Sequence, residues 1–202
     1  MIKNVVFDLG RVIYTYDPLG DLLNEGLSKE AAGLFMSRIY DSKMWQEIDR
    51  GVTSIAEYLD KWIAEFPDMA EDLRLIFRKD WVDRVLKVMP DSLEFFYEVK
   101  QRGFKIYILT NFAKDSFSFV STRDTFFKDA DGIVVSAYEK LIKPDHAIYH
   151  CLINRYNLVP EETIFIDDMP QNVAAAKEVG IHSIQFTGLE DVKRRFNEIA
   201  AS

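Results

Sequence analysis

The stretch Val5-Val6-Phe7-Asp8-Leu9-Gly10 places three apolar residues directly before a carboxylate, and a glycine follows two positions after it. A run of this kind predicts a buried strand that ends at Asp8 and turns at Gly10. In open α/β sheets, ligands bind outside the carboxyl ends of the strands. We therefore expect Asp8 to lie at a sheet edge that a ligand can reach.

A second strand-end pattern lies near the other end of the chain. There Ile164-Phe165-Ile166 runs into two adjacent carboxylates, Asp167 and Asp168. Because right-handed crossovers bring the carboxyl ends of parallel strands to one edge, we expect these carboxylates to lie close to Asp8. Carboxylate oxygens are the ligands that Mg²⁺ prefers in proteins. The two patterns together predict a magnesium site.

The composition narrows the class of protein. The chain has 202 residues, 48% hydrophobic and 29% charged, with a formal net charge of -8. These values are ordinary for a globular protein with one sizeable core. The negative charge argues against nucleic acid or an anionic membrane as the main partner. Oligomeric state leaves no signal in the composition.

Compartment is indicated by three features of the sequence. Cys151 is the only cysteine, so no intramolecular disulfide is possible. The opening Met1-Ile2-Lys3 does not resemble a signal peptide. No apolar run approaches the roughly 20 residues of a membrane span. We expect a cytoplasmic protein in a reducing compartment.

Short apolar runs alternate with helical patterns along most of the chain. This alternation predicts an α/β fold with a Rossmann-like parallel sheet and helices on both faces. The predicted strands lie near residues 4–8, 104–109, 132–135, 163–167 and 182–186, and the predicted helices lie at 93–100, 114–120, 146–156, 171–179 and 190–200.

Residues 17–88 break the alternation. They show no strand pattern, and their apolar residues recur at helical spacing. Ser28 and Thr53 stand ahead of two helical patterns and are expected to cap them. The sequence thus predicts a core formed by residues 1–16 and 89–202, with a helical cap at 17–88 inserted after the first strand.

Four segments of the chain, in this order, resemble the motifs of the haloacid dehalogenase-like (HAD) superfamily. Each segment is weakly specific alone, but the four together are strongly specific, and the core that carries them fills most of the chain. Within the superfamily, the opening motif and short cap look most like bacterial phosphatases that act on α-glucose 1-phosphate. The segments are Phe7-Asp8-Leu9-Gly10-Arg11-Val12, Leu109-Thr110-Asn111, Ile142-Lys143-Pro144-Asp145 and Phe165-Ile166-Asp167-Asp168-Met169-Pro170-Gln171-Asn172.

The resemblance implies phosphatase chemistry on a small phosphorylated metabolite, such as a hexose 1-phosphate. Asp8 would be the nucleophile that becomes an aspartyl-phosphate. Lys143 would neutralise charge on the phosphate and the nucleophile, as a fixed cation must when two anions meet. Thr110 and Asn111 would hold the phosphoryl oxygens.

The resemblance also implies a set of magnesium ligands. Mg²⁺ would bind Asp8, the main-chain carbonyl of Gly10 and Asp168. Asp167 would act on the ion through a water molecule, or would contact the ligands without binding the ion itself. Two carboxylates and a carbonyl leave room for water and a substrate oxygen, which suits this ion.

Gly10 departs from the usual pattern of phosphatases in this superfamily. Most have a second Asp there, which protonates the leaving alcohol and later activates water. Positioned acid–base catalysis contributes ~10²–10⁴-fold, so the loss needs an explanation. Two are open: Asp17, the nearest later carboxylate, replaces it, or the leaving group needs little help, as with an anomeric hydroxyl.

Three other functions fit parts of the pattern. A 2-haloacid dehalogenase also uses the strand Asp without the second one, but it usually carries a bulky aromatic in place of Gly10 and needs no metal. A phosphoacceptor signalling domain shares the residue types in a different order. A catalytically inactive phosphate-binding protein would also lack the second Asp.

Overall fold

Residues 1–201, which the computed structural model describes, contain a five-stranded sheet with helices on both faces. The strand order is β3-β2-β1-β4-β5, and every neighbouring pair is parallel. The α/β prediction is confirmed, and each predicted strand lies within one residue of the observed bounds. The strands are β1 (Asn4–Phe7), β2 (Lys105–Thr110), β3 (Gly132–Val135), β4 (Thr163–Asp167) and β5 (His182–Gln185).

A run of helices separates β1 from β2. They are α1 (Pro18–Asn24), α2 (Lys29–Phe35), a π-helical turn at Met36–Tyr40, α3 (Lys43–Asp49), α4 (Ile55–Glu65), a 3₁₀ turn at Pro67–Met69, α5 (Ala70–Ile76) and α6 (Trp81–Val85). Most of them pack around an apolar cluster of their own, with Phe35, Trp62 and Leu73 fully buried.

The end of this insertion packs differently. Val82 and Leu86 belong to the apolar cluster on one face of the sheet, together with Phe7 and Phe96. Helix α6 is therefore part of the sheet's covering layer in its packing, although it precedes β2. The division at residues 17–88 stays a prediction.

Helix α4 corrects one expected cap. The cap is Ser54 and not Thr53, because the Ser54 hydroxyl accepts from the Glu57 amide at 3.2 Å and the Glu57 carboxylate accepts from the Ser54 amide at 2.9 Å. This reciprocal pair is a capping box, whose four-residue spacing starts at Ser54. Thr53 supports it by donating its hydroxyl to Glu57 at 2.7 Å. Ser28 caps α2, as expected.

The remaining helices cover the two faces of the sheet. They are α7 (Pro90–Gln101), α8 (Lys114–Arg123), the short α9 (Ser136–Glu139), α10 (His146–Tyr156), α11 (Pro170–Glu178) and α12 (Leu189–Ala200). Phe7 of β1 packs against Phe95 and Phe96 on one face, while Phe165 of β4 packs against Tyr149 on the other. Burial on both faces explains why the strands are continuously apolar. No helix within residues 1–201 has the length and apolar character needed to cross a membrane.

A glycine in β3 gives a test of how tightly this core is packed. A Cβ at Gly132 would overlap the ring of Tyr156, whose hydroxyl is fixed by the main chain of Ile133. We expect Gly132→Ala to lower the free energy of unfolding by about 1–3 kcal/mol because the ring must move. Urea unfolding measures the change.

The matched control is Gly33→Ala, in the exposed middle of α2, where a Cβ would meet nothing within 4 Å. It should raise the free energy of unfolding by roughly 0.5–1 kcal/mol, since alanine favours helix. Equal effects of the two substitutions would contradict the packing described here.

Candidate active site

Asp8 is held at the carboxyl edge of the sheet by its main chain. Its amide donates to the carbonyl of Ile166 at 2.9 Å, which continues the pairing of β1 with β4 by one residue. The chain then turns sharply, because the Leu9 carbonyl accepts the amides of Ile13 and Tyr14, each at 2.8 Å. The Asp8 side chain therefore leaves a fixed strand end, with only 10% of it exposed.

Lys143 supplies a buried positive charge beside Asp8. Its side chain is 1% exposed, and Nζ lies 2.9 Å from Asp8 Oδ1 and 2.6 Å from Asp167 Oδ2. The third Nζ hydrogen bond goes to the carbonyl of Leu109 at 3.0 Å. All three donors of the ammonium group are thus used, and the cation cannot swing away from Asp8.

Asp167 is fully buried and holds this arrangement together. Its carboxylate accepts from Lys143, from the amide of Met169 at 2.8 Å, and from the side-chain amide of Asn172 at 3.0 and 3.1 Å. Met169 and Asn172 belong to the start of α11, so Asp167 also fixes where that helix begins. With its oxygens in use, Asp167 serves to position Lys143.

Asn111 positions the same lysine through the main chain. Its Nδ2 donates to the Lys143 carbonyl at 3.0 Å, and its Oδ1 accepts the Lys143 amide at 2.9 Å. The sequence predicts that Asn111 and Thr110 hold phosphoryl oxygens. The structure shows that Asn111 also makes this reciprocal pair of hydrogen bonds with Lys143. Thr110 ends β2, next to β1 in the sheet, and is buried.

Three carboxylates meet at this edge. Oxygens of Asp8, Asp167 and Asp168 lie within 4.8 Å of one another. Asp168 is 15% exposed, and Arg11 Nη1 lies 3.7 Å from its Oδ2. Three carboxylates against the single buried ammonium of Lys143 leave an excess of negative charge, which suits a divalent cation with oxygen ligands.

Burial and charge shift the acid–base behaviour of the cluster. Burial raises the pKa of the Asp8 carboxyl, while Lys143 opposes the shift. Burial alone would lower the pKa of Lys143, but Asp167 and Asp8 raise it, so the ammonium stays protonated. Burial, followed by the charge of Asp167, raises the pKa of Asp168. The cation is permanent, and the carboxylates of Asp8 and Asp168 depend on nearby positive charge to stay ionised.

A cavity of about 380 Å³ opens above the carboxylates, between the sheet edge and the inserted helices. Its floor is polar and includes Asp8, Gly10 and Lys143. Its walls are largely aromatic or apolar and include Met36, Tyr40, Trp45, Trp81 and Phe112. A small substrate in this cavity would place a charged group on the floor and its organic part against the walls.

Asp17 lies elsewhere. It is exposed and is the N-cap of α1, where its Oδ1 accepts the Gly20 amide at 3.1 Å. Among residues 1–201, those that line the cavity include its neighbours Tyr16 and Pro18 but not Asp17. This placement fits a structural cap and does not fit proton transfer to a substrate on Asp8.

Asp49 lines the cavity and was missed by the sequence reasoning. It is the last residue of α3, where the helix dipole is negative and disfavours a carboxylate. The signal available in the sequence was an acidic residue at the end of a helix, two residues before Gly51. Burial and the charge of Asp8 raise the pKa of Asp49 to about 7, and Lys143 partly offsets the rise.

Comparison with known protein families shows which family the chain belongs to. Residues 2–180 match the family model for haloacid dehalogenase-like hydrolases. The chain belongs to the haloacid dehalogenase-like hydrolase family. The HAD resemblance of the four motifs is therefore confirmed at the level of the superfamily.

Three known proteins are similar to this one over nearly the whole chain. A sesquiterpene phosphatase of Aspergillus oryzae is 25% identical, covering 92% of this chain and 90% of that protein. A D-ribitol-5-phosphate phosphatase of Bacteroides thetaiotaomicron is 24% identical, covering 92% of each. A HAD family enzyme from the same bacterium, solved with magnesium and inorganic phosphate, has a TM-score of 0.70 at 19% identity, covering 92% of this chain and 94% of that one. This last likeness shows the common fold.

The buried ion pairs of Lys143 with Asp8 and Asp167 are expected to stabilise the fold. Lys143→Met keeps the length of the side chain but leaves Asp8 and Asp167 without their cation. We expect it to lower the free energy of unfolding of the metal-free protein by about 3 kcal/mol, because it leaves buried charges unpaired. Chemical denaturation measures the loss.

Lys177→Met, on the exposed face of α11, is the matched control. It should change the free energy of unfolding by no more than about 0.5 kcal/mol. Similar losses in the two variants would show that the pairs at Lys143 do not stabilise the fold.

Proposed function

We propose that the protein is a Mg²⁺-dependent phosphatase that hydrolyses a small phosphorylated metabolite through an aspartyl-phosphate on Asp8. The observation that carries the proposal is the contact of 2.9 Å between Asp8 Oδ1 and Lys143 Nζ at the floor of the cavity. A nucleophilic carboxylate and a phosphate repel each other unless a fixed cation lies between them. The names of the two curated relatives, both phosphatases, support the same activity.

Asp8 would attack the phosphorus of the bound ester, and the bond from phosphorus to the leaving oxygen would break. Lys143 offsets the negative charge that collects around the phosphoryl group. Asn111 and Asp167 keep Lys143 in place from its main chain and its ammonium end. Thr110 and Asn111 would contact the phosphoryl oxygens, as the family resemblance implies.

The donor set fits Mg²⁺. Asp8, Asp168 and the main-chain carbonyl of Gly10 would hold the ion, which is also present in the solved Bacteroides enzyme. When bound, Mg²⁺ supplies positive charge for the phosphoryl oxygens and orients them. Asp167 already accepts hydrogen bonds from Lys143, Met169 and Asn172, which supports a role behind the ligands.

The substrate we propose is a sugar phosphate such as a hexose 1-phosphate. The proposal rests on the resemblance of the opening motif to phosphatases of that substrate. The walls of the cavity also include Trp45 and two tyrosines, Tyr16 and Tyr40, whose hydroxyl groups offer hydrogen bonds to a sugar. Burial raises the pKa of both tyrosines, so they remain protonated donors.

A second candidate is the monophosphate of an apolar alcohol. The walls that hold the organic part include Met36, Trp45, Trp81, Leu86 and Phe112. Apolar surface of this kind binds an apolar chain by the hydrophobic effect, roughly in proportion to the area buried. The name of the Aspergillus relative, a sesquiterpene phosphatase, points the same way.

The activity is tested by phosphate release from a panel with and without Mg²⁺. The panel contains sugar 1-phosphates, sugar 6-phosphates, nucleotides, a prenyl monophosphate and an aryl phosphate. We expect Mg²⁺-dependent release from at least one of them. Asp8→Asn should lower kcat to the uncatalysed background, because an amide cannot serve as the nucleophile.

The same assay includes chloride release from 2-chloropropionate in metal-free buffer. Chloride release together with no Mg²⁺-dependent phosphate release would overturn the proposal in favour of a dehalogenase. Phosphate release that Asp8→Asn leaves intact would overturn the assignment of the nucleophile.

Substrate class is tested by kcat/KM for α-glucose 1-phosphate and for a prenyl monophosphate. We expect the higher value for the hexose 1-phosphate, whose hydroxyl groups can bond to Tyr16 and Tyr40. A higher value for the prenyl monophosphate would favour the second candidate and contradict the sugar proposal.

A further inference from the structure

The turn that follows α3 is fastened to the core of the protein. The Ser136 hydroxyl donates to the main-chain carbonyl of Asp49 at 2.5 Å, and Arg50 Nη2 lies 3.2 Å from Asp145 Oδ2. Lys140 donates its ammonium group to the carbonyl of Gly51. These partners all belong to the segment that runs from α9 to just beyond Lys143.

Gly51 lets this turn approach closely. Its φ is +68°, and a Cβ there would collide with the main chain of Ala137. Only glycine fits both constraints without strain. The contacts at Asp49, Arg50 and Gly51 therefore fix the end of α3 relative to the catalytic edge, even though α3 belongs to the inserted helices.

The turn presents the Asp49 carboxylate to the cavity that contains Asp8. Asp49 is half-buried there. Within the described residues, its carboxylate has no hydrogen-bond or salt-bridge partner, whereas Asp8, Asp167 and Asp168 all contact cations. Its main electrostatic neighbours are Asp8 and Lys143. A carboxyl group in these surroundings is free to exchange a proton with a group bound at Asp8.

Position 10 leaves room for such a group. A Cβ at Gly10 would meet nothing within 4 Å, and its φ is not positive, so the local structure does not require glycine. Gly10 and Asp49 both line the cavity that contains Asp8. The position that lacks a carboxylate and the Asp49 carboxylate thus line the same cavity.

We propose that Asp49 is the acid–base residue of this enzyme and replaces the carboxylate that is missing at position 10. The proposal rests on the proposed phosphatase function. Of the other acidic candidates, Asp17 is a helix cap outside the cavity, and Asp41 lines the cavity but is exposed to solvent. A pKa raised to about 7 lets the Asp49 carboxyl carry a proton near neutral pH.

The Asp49 carboxyl group would give and take the proton in the two half-reactions. In the first, an Asp8 oxygen bonds to phosphorus, the bond to the leaving oxygen breaks, and the Asp49 carboxyl gives its proton to that oxygen, releasing an alcohol. In the second, the Asp49 carboxylate takes a proton from water as the water oxygen bonds to phosphorus. The bond from phosphorus to Asp8 then breaks, which restores the Asp8 carboxylate and releases inorganic phosphate.

The test compares two substrates of similar shape in Mg²⁺ buffer. The leaving group of 4-nitrophenyl phosphate departs without a proton, whereas that of 4-nitrobenzyl phosphate needs one. We expect Asp49→Asn to lower kcat/KM for the nitrobenzyl ester by ~10²–10⁴-fold and to change it little for the nitrophenyl ester. Nitrophenol should appear in a burst followed by slow turnover, because hydrolysis of the aspartyl-phosphate has lost its base.

Two further variants complete the test. Asp17→Asn should behave as wild type on both esters, because asparagine also caps helices. Gly10→Asp in the Asp49→Asn background should restore part of the kcat/KM for the nitrobenzyl ester, since it returns a carboxylate to the open space.

The outcomes separate this proposal from the proposed function. Equal losses on both esters with no restoration by Gly10→Asp would overturn the role of Asp49 alone, as would an effect of Asp17→Asn equal to that of Asp49→Asn. No Mg²⁺-dependent release from either ester or from the wider panel by the wild-type protein would overturn the phosphatase itself, and this proposal with it.

Discussion

The ammonium group of Lys143, buried between Asp8 and Asp167, is the interaction on which the rest of the site depends. Its three donors are fixed by two carboxylates and the Leu109 carbonyl. A buried charge is costly unless every hydrogen bond is made, so the surrounding chain is organised to make them. Asn111 fixes the lysine's main chain, and Asp167 links it to the start of α11. Asp8, the proposed nucleophile, therefore faces a cation that is held in place.

The inserted helices complete the site in two ways. They supply most of the aromatic walls that would bind the organic part of a substrate, including Tyr40 and Trp45. They also bring Asp49 close to the catalytic edge, through a turn that the core holds at Ser136, Lys140 and Asp145. In the proposed mechanism, residues of the floor act on the phosphoryl group and residues of the inserted helices contact the leaving group.

Sequence reasoning located the floor of the site because strand ends obey a simple rule. Asp8, Thr110 and Asp167 each stand at the end of an apolar run, and parallel strands bring such ends together. Lys143 has no strand of its own, and the family resemblance was needed to select it. The roles of these residues in catalysis stay predictions until they are tested.

Asp49 could not be located in the same way. Its place depends on how α3 packs on α9, and a short helix such as α9 leaves little periodic signal. Asp17 is one of the two explanations for Gly10 that the sequence leaves open, because it is the nearest later carboxylate, and the chain carries it to the N-terminus of α1. Gly51 permits the close approach to Ala137. A glycine in the sequence indicates that a close contact is possible there, but it does not indicate which residue makes the contact.

The most direct test of the proposed mechanism is to identify the residue that carries phosphate during turnover. The protein, with Mg²⁺ and its best substrate, is quenched in acid, treated with borohydride and digested, and the peptides are analysed by mass spectrometry. We expect a borohydride-sensitive phosphoryl group on Asp8. A phosphoryl group on another residue would contradict the mechanism. So would an unmodified Asp8 in a sample where a phosphorylated intermediate has accumulated and is releasing phosphate.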